Sequence, residues 1–403
     1  MGGLSTGQGT EVSRSRDPLL YAQVWANLKA RLPQNERLAQ RRRRTAEQLQ
    51  AELLAGPPET WRARLADQRF HNQDFFEYLL ELCHQTLPFN PWRGFEVSEM
   101  ALELGGLLSE AAPEAAPVET LCRALCLGSH ARRLIGEPAR AEVLLIRAAY
   151  LADDPAARGF FCRAYGLLRW DQGRMEEATA LLHQASRRYG ELGDTGEEAI
   201  CEALLGLLYN EEGELARAES ALRRARSGLV SRSQPRLAAQ VRLALARCLA
   251  LTDRKADART VRESAWSLYS CIPMAEAMCA LLWLEAQVAD AMGDLADAES
   301  LLDSVRRKFL AKDFLPEATL ATIQLSRVLI RQGRGVETPA LTAELTERFG
   351  GRQEFALALT ALGFLAEETA TGMADEKTWS LMAASYLSSF RLGGASPQPV
   401  PFL

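Results

Sequence analysis

A turn residue comes back at an almost fixed step through the middle of this 403-residue chain. Gly136, Gly173, Gly213, Asp253, Gly293 and Gly333 stand 37, 40, 40, 40 and 40 residues apart. The residues around them keep the same register. Seven positions earlier stand Ser129, Gly166, Gly206, Ala246, Ala286 and Ser326, all small. Five positions later come Ala141, Ala178, Ala218, Ala258, Ala298 and Thr338, and twelve later Ala148, Ala185, Ala225, Ala265, Val305 and Leu345. The copy at Ala203–Ala225, ALLGLLYNEEGELARAESALRRA, reads as an apolar helix, a turn at Gly213 and a second helix. Such a pair cannot bury its own apolar face, so it has to be one unit of a stack. Small residues at these helical offsets let paired helices approach closely, and a turn glycine supplies the left-handed conformation that ends a helix.

Helix starts recur too. Pro117, Pro155, Pro235, Pro273 and Pro316 each precede their turn by 17–20 positions, where a first-turn proline costs no hydrogen bond. The unit without one has Thr195-Gly196-Glu197-Glu198, read as a capping box with Thr195 as the N-cap.

The pattern Gly206-x-x-Tyr209, Gly213, Ala218 and Ala225 resembles the tetratricopeptide repeat family, over roughly Phe70 to Phe349 and most strongly from Arg158 to Arg307. The family unit is about 34 residues, so a 40-residue step implies helices longer by most of two turns. The resemblance implies an all-α, right-handed superhelical solenoid of about seven antiparallel helix pairs. The segments GRMEEA, GDLADAE and ELGD are similar to bacterial tetratricopeptide regulators, in which the array often follows a DNA-binding helix-turn-helix domain. Residues 1–57 hold about two helices and no helix-turn-helix.

The flanks divide by composition. Residues 1–16 are Gly/Ser/Thr-rich and read as a disordered tail; Met1-Gly2 followed by Thr6 is only a weak acylation pattern. Residues 17–57 read as N-terminal helices, the first with Leu19, Leu20, Val24, Trp25 and Leu28 and stopped at Pro33, the second with Leu38, Leu49 and Leu53. A first, divergent helix pair occupies 58–117, where Asn90-Pro91 supplies an N-cap and first-turn proline. Regular repeats fill 118–350, Thr338-Pro339 restarting the last second helix late. Capping helices follow over 351–391, with Ser380, Ser385, Ser388 and Ser389 giving the last one polar positions. Residues 392–403 are a Pro-rich tail ending in Val400-Pro401-Phe402-Leu403, read as a frayed end rather than a docking peptide.

Function classes narrow quickly. A formal net charge of −5 gives no global attraction to nucleic acid or anionic membrane. No apolar run reaches about 18 residues, the length a transmembrane helix needs. The eight cysteines form no paired framework and sit in helical apolar patterns, the usage of reduced thiols, which points to the cytoplasm. There is no Gly-rich phosphate loop and no nucleophile elbow, so the chain is expected not to be an enzyme and to carry no cofactor. Cys122, Cys126 and His130 line one helix face at i, i+4 and i+8, but a straight helix spaces them about 6 Å per step and no fourth ligand is evident. They read as helix-face residues, and no metal is assigned. Arg41-Arg42-Arg43-Arg44 offers charge to a nucleic acid or an acidic partner, yet four consecutive helix residues face all directions and a solvated surface is the expected reading.

By resemblance, specificity belongs to the concave groove lined by the first helix of each pair. In the register above its positions carry Arg123, His130 and Arg133, then Phe160, Arg163, Leu167, Trp170 and Asp171, then Ala203, Leu207, Asn210 and Glu211. Leu243 and Arg247 follow, then Trp283, Gln287 and Asp290, and last Ile323, Arg327 and Arg331. The candidate peptide contacts among them are Arg123, His130, Arg133, Arg163, Leu167, Trp170, Asn210, Arg247, Trp283, Gln287, Arg327 and Arg331. Arginine forks and tryptophan faces are what peptide hot spots use, although Trp170 and Trp283 fit packing between pairs equally well. The Lys/Asn clamp of chaperone-tail binders is met at Asn210 alone. The expected function is a non-catalytic scaffold or regulatory module holding a protein or peptide segment. The alternatives are a nucleic-acid-linked regulator using Arg41–Arg44, or a small-ligand or signal-peptide sensor.

Overall fold

The computed structural model describes residues 38–55, 60–87, 90–111, 118–229, 235–272, 275–312, 315–350, 353–373 and 375–379. The tails at 1–16 and 392–403, the expected helix ahead of Pro33, the boundary prolines Pro117 and Pro273, and the serines from Ser380 onward lie outside them. Among the described residues there are helices and turns and no strand. The chain divides into two compact units between Tyr78 and Leu79.

The first unit holds α1 (residues 38–54), α2 (Trp61–Leu65) and the start of α3 (Gln73–Thr86). Leu53, Leu65, Phe70, Phe75 and Phe76 are buried in it. Tyr78 donates from its hydroxyl to Gln50 Oε1 at 2.9 Å, and Arg69 pairs with Glu52 at 3.0 Å.

The second unit runs through α4 (Pro91–Ala111) into an alternating series. First helices are α5 (Val118–Leu134), α7 (Pro155–Asp171), α9 (Thr195–Glu212), α11 (Pro235–Leu251), α13 (Ala275–Met292), α15 (Leu315–Arg331) and α17 (Gln353–Ala370). Second helices are α6 (Pro138–Ala149), α8 (Met175–Leu192), α10 (Leu215–Gly228), α12 (Lys255–Tyr269), α14 (Leu295–Ala311) and α16 (Thr338–Phe349). Each packs on the helix before and after it, so the unit is an all-α solenoid of helix pairs.

The recurring columns do what their size permits. Ala141, Ala178, Ala218, Ala258, Ala298 and Thr338 are all 0% exposed, as are Ala148, Ala185, Ala225, Ala265, Val305 and Leu345. Every turn position is left-handed: Gly136 at φ 83°, Gly173 at 73°, Gly213 at 79°, Gly293 at 86°, Gly333 at 78°, and Asp253 at 59°. The amide that follows each of them reaches back to a first-helix carbonyl, Glu214 N to Tyr209 O at 2.9 Å and Arg254 N to Leu249 O at 2.8 Å. These bonds satisfy carbonyls that the helix end leaves open.

Asp253 is the only non-glycine among the described residues with positive φ. An L-residue there costs about 1–2 kcal/mol, and the entropy glycine loses on folding offsets about 0.5–1 kcal/mol of that. Asp253→Gly is therefore expected to stabilise the array by about 0.5–1 kcal/mol, and Gly213→Ala to weaken it by about 1 kcal/mol. Urea denaturation of the two variants checks the opposite signs.

One expected cap is corrected. Thr195 is the first residue of α9, not its N-cap; Asp194 caps the helix, its Oδ1 accepting from Glu197 N at 3.1 Å. The left-handed Gly193 ends α8 and turns the chain so that the carboxylate one residue earlier meets the open amides. Asn90, by contrast, caps α4 as expected, with Oδ1 accepting from Arg93 N at 3.0 Å.

Candidate functional site

Three register positions on the first helices carry most of the candidate residues. Counting back from the turn, the sixth position holds His130, Leu167, Leu207, Arg247, Gln287 and Arg327; the third holds Arg133, Trp170, Asn210, Ala250, Asp290 and Ile330; the second holds Leu134, Asp171, Glu211, Leu251, Ala291 and Arg331. The array divides along these columns into two stretches of different character.

From α5 to α9 the polar residues are ties between neighbouring helices. Arg133, 6% exposed, donates to Asp171 Oδ2 at 2.5 Å and faces His130 Nδ1 at 3.2 Å. Arg163 is buried, pairs with Glu197, and lies over the Phe160 ring at 4.8 Å and the Tyr189 ring at 6.0 Å. Arg123 lies over the other end of that system, 5.9 Å from the Phe160 centroid. Trp170 is half-buried, and its indole N–H donates to Glu211 Oε2 at 2.6 Å. Leu167, Ala203 and Leu207 are buried in the core. Each tie joins one first helix to the next, 34 to 41 residues on, because a side chain on the shared edge meets the same edge of the following copy.

Asn210 continues the series with a branch. Its Nδ2 donates to Ala244 O at 3.2 Å, and its Oδ1 accepts from Arg247 Nη1, which also reaches Asn210 O at 3.4 Å. Trp283 is a packing residue. It is 5% exposed, meets Phe309 edge-on at 5.6 Å between centroids, and donates to Gln324 Oε1 at 2.6 Å. Leu243 and Ile323 are buried as well.

Beyond Asn210 the face opens. A cavity of about 500 Å³ is walled by Arg247 and Leu251 from α11, by Gln287, Asp290 and Ala291 from α13, and by Ile323, Gln324, Arg327 and Arg331 from α15, with Glu376 and Trp379 at one end. Six of the expected groove residues thus come together there, Arg247, Gln287, Asp290, Ile323, Arg327 and Arg331, four of them (Arg247, Gln287, Arg327 and Arg331) among the candidate peptide contacts. Asp290 is buried and takes both Arg327 and Arg331, one on each carboxylate oxygen; Arg331 also donates to Asp290 O at 3.3 Å. Arg331 Nε stands 3.9 Å from Glu376 Oε1. Gln287 has no hydrogen-bond partner among the described residues. Arg247 has no carboxylate within ion-pair distance among them. Burial holds the Arg247 guanidinium below its usual range; the Cys248 charge opposes that, Arg327 adds to it, and Asp290 and Glu211 oppose it again.

The register reading did not reach Leu251, Ala291, Gln324, Glu376 or Trp379. Leu251 and Ala291 occupy the second column, whose earlier members Asp171 and Glu211 were already on the groove positions, so the column itself was the available signal. Trp379 lies after the repeats end, where no column applies. It is fully buried, with its indole donating to Thr369 Oγ1 at 2.6 Å.

The remaining candidates are accounted for locally. Arg41 to Arg44 are all exposed on α1; Arg42 stands 3.5 Å from Asp74, and Arg43 pairs with Glu47 at 3.2 Å. Cys122 and Cys126 are fully buried, and the Cys122 thiol points at Ala148 O at 3.7 Å. No group of three His, Cys, Asp or Glu side chains among the described residues is placed to hold a metal ion. None of the described helices is long and apolar enough to cross a membrane.

No family model matches the sequence, and no curated protein matches it significantly. Several solved structures do resemble it. A Rap protein complexed with competence and sporulation factor is 14% identical, with 79% of this chain and 94% of that one covered and a TM-score of 0.55. NprR in complex with its cognate peptide NprX is 15% identical over 79% of this chain and 96% of that one, TM-score 0.49. BtubC from P. vanneervenii is 19% identical over 56% of this chain and 92% of that one, TM-score 0.44. The likeness to the Rap protein is one of fold, an all-α solenoid of helix pairs.

Proposed function

We propose that this tetratricopeptide-type solenoid is a non-catalytic regulatory module that binds an extended peptide along its first helices, with the α11–α13–α15 cavity as the anchoring end. The observation that carries the reading is the cavity itself. Arg247, Gln287 and Arg327 occupy one register position in three successive repeats and line a common space. Packed helices stand about 8–10 Å apart, and an extended chain rises about 3.3 Å per residue. Successive repeats therefore address about every third residue of an extended ligand. A few polar groups converging on a concave, partly apolar space is the usual make-up of a ligand site. The Rap structure, similar in fold, holds a factor named for competence and sporulation, which supports the same use of the array here.

The cytoplasm, where reduced cysteines are kept, is the compartment this reading fits: seven of the eight thiols are buried and none is in a disulfide. Charge reversal at Arg163 is a poor probe of the groove, since that side chain is buried in its pair with Glu197. A filled cavity is the better one. Peptides eluted by acid from the purified full chain should be identifiable by mass spectrometry. Ala291→Phe, which places a ring in the cavity, should purify without them. Hydrogen exchange with the eluted peptides added back should slow on α11, α13 and α15. Equal peptide content in both proteins, or unchanged exchange on those helices, overturns the reading.

A further inference from the structure

One second helix departs from the others on its outward face. Val143, Ile146 and Tyr150 follow one another at i, i+3 and i+7 along α6 and its end, and they are 57%, 53% and 81% exposed. Helical spacing puts them on a single stripe, opposite Ala141, Leu144, Leu145 and Ala148, which are buried in the core. They lie seven, ten and fourteen residues after the turn at Gly136. At the same places α8, α10, α12, α14 and α16 carry Ala, Ser or Thr, then His, Arg, Glu, Asp or Ala, then Arg, Ser or Glu. Those residues suit a solvated surface, so the apolar stripe is particular to this copy. Exposed apolar residues scattered singly need no explanation, but three in line on one helix do. Charges frame the stripe: Arg140 and Arg147 along it and Asp153 just past the helix end are exposed. Arg140 pairs with Glu137 at 2.8 Å while its side chain stays mostly exposed, and Arg147 and Asp153 have no ion-pair partner among the described residues.

We infer that this face of α6 is where the chain meets a second copy of itself, the two α6 helices packing antiparallel about a two-fold axis. The stripe is complementary to its own reverse. With the axis between Ile146 and Arg147, Val143 meets the second copy's Tyr150, Ile146 lies under the aliphatic stem of its Arg147, and Arg140 meets its Asp153. Each contact occurs twice, as a two-fold interface requires. A parallel arrangement would instead set Arg140 beside Arg140 and Asp153 beside Asp153. The 12 residues of α6 make a helix about 18 Å long. The interface is therefore smaller than the roughly 800 Å² per partner of a stable complex, and half-association falls at tens of micromolar. The stripe lies on a second helix, so the first-helix groove stays open, and the inference does not rest on the peptide reading.

Sedimentation equilibrium of the full chain tests this. The weight-average mass should rise from 44.5 kDa towards twice that value as concentration increases. Ile146→Asp should stay a monomer throughout and keep the wild-type Tm, because the side chain it replaces is exposed. Arg140→Asp and Asp153→Arg should each weaken the dimer at least ten-fold, since each sets like charges opposite one another. An equimolar mixture of those two variants restores opposite charges at both places and should associate as tightly as wild type. Tyr150→p-benzoylphenylalanine should cross-link on irradiation into a species of twice the mass, joined through the second copy's α6. A wild type that is monomeric at every concentration, a dimer that survives Ile146→Asp, or a mixture no tighter than its components overturns the inference. A cross-link to residues 1–37 of the same chain, or to a different protein, also overturns it by naming another occupant of the stripe. None of these outcomes bears on the peptide reading.

Discussion

Glu285→Ala is expected to lower the unfolding free energy by about 3–5 kcal/mol, the range seen when one member of a buried charged pair is removed. Glu285 on α13 is 6% exposed and Arg262 on α12 is 7% exposed. The carboxylate accepts from Arg262 Nε at 3.3 Å and Nη2 at 3.2 Å, from Trp266 Nε1 at 2.7 Å and from Tyr269 Oη at 3.0 Å. One side chain thus satisfies donors from three residues of the preceding helix, and it joins the second helix of one repeat to the first helix of the next. Burial, and after it the Glu285 charge, pushes the Tyr269 hydroxyl far above its usual range, so the phenol remains a donor at any ordinary pH. Truncation leaves those donors facing a cavity. Asp297, 3.3 Å from Arg262 but itself mostly exposed, compensates only in part. The penalty lies in the broken set and not in the absence of charge, so Arg262→Met combined with Glu285→Leu should recover most of the loss. Equilibrium urea denaturation gives the sizes, and hydrogen exchange on α12 and α13 shows whether the loss is local. A double variant as weak as Glu285→Ala would mean that the pair contributes net stability of its own.

The turn and packing columns were legible because each role admits few residue types. A left-handed turn selects Gly or, at Asp253, a short polar side chain, and close helix approach selects Gly, Ala or Ser. The groove was only partly legible. Arginine facing a ligand and arginine tying two helices share one period, and they differ in what stands a repeat away. Arg133 has Asp171 38 positions on, and Arg327 has Asp290 37 positions back, whereas Arg247 meets the amide of Asn210. Trp170 and Trp283 make the same point, since both indoles find an acceptor 41 residues ahead, Glu211 and Gln324. A scan for complementary partners one repeat away would have sorted these residues; single positions on a helical wheel could not. The wall made by Glu376 and Trp379 lies past the last turn, beyond the reach of any column. The α9 cap was misplaced because Asp194 and Thr195 are both good capping residues, and only the backbone decides between them.

Gly206→Val is expected to destabilise the array by about 2–3 kcal/mol, at the upper end of what forced overpacking costs. Gly206 lies on the face of α9 that meets α10. A Cβ there would stand 2.5 Å from Leu222 Cγ, 2.7 Å from Leu222 Cδ2 and 3.1 Å from Leu222 N. A rotamer change can withdraw the Leu222 side chain, but not its backbone nitrogen, so the helices themselves have to separate. Separation of α9 from α10 would also disturb Ala218, Ala221 and Ala225, all fully buried against the core. The same register position shows how local the constraint is. In the preceding copy, a Cβ on Gly166 would meet Leu182 Cγ at 3.0 Å and the nearest backbone atom, Ala178 O, at 3.4 Å. In the two copies that follow Gly206, Ala246 and Ala286 occupy the position outright and are fully buried. Gly166→Ala should therefore cost less than Gly206→Ala, in which the propensity gain of about 1 kcal/mol from removing a helical glycine offsets part of the clash. Gly106 on α4 has nothing within 4 Å of its would-be Cβ, so Gly106→Ala should stabilise by about 0.5–1 kcal/mol. The order expected in urea denaturation is Gly106→Ala above wild type, then Gly166→Ala, Gly206→Ala and Gly206→Val. A Gly206→Val protein as stable as wild type would show that α9 and α10 move apart freely, and close helix approach would no longer explain why that column is small.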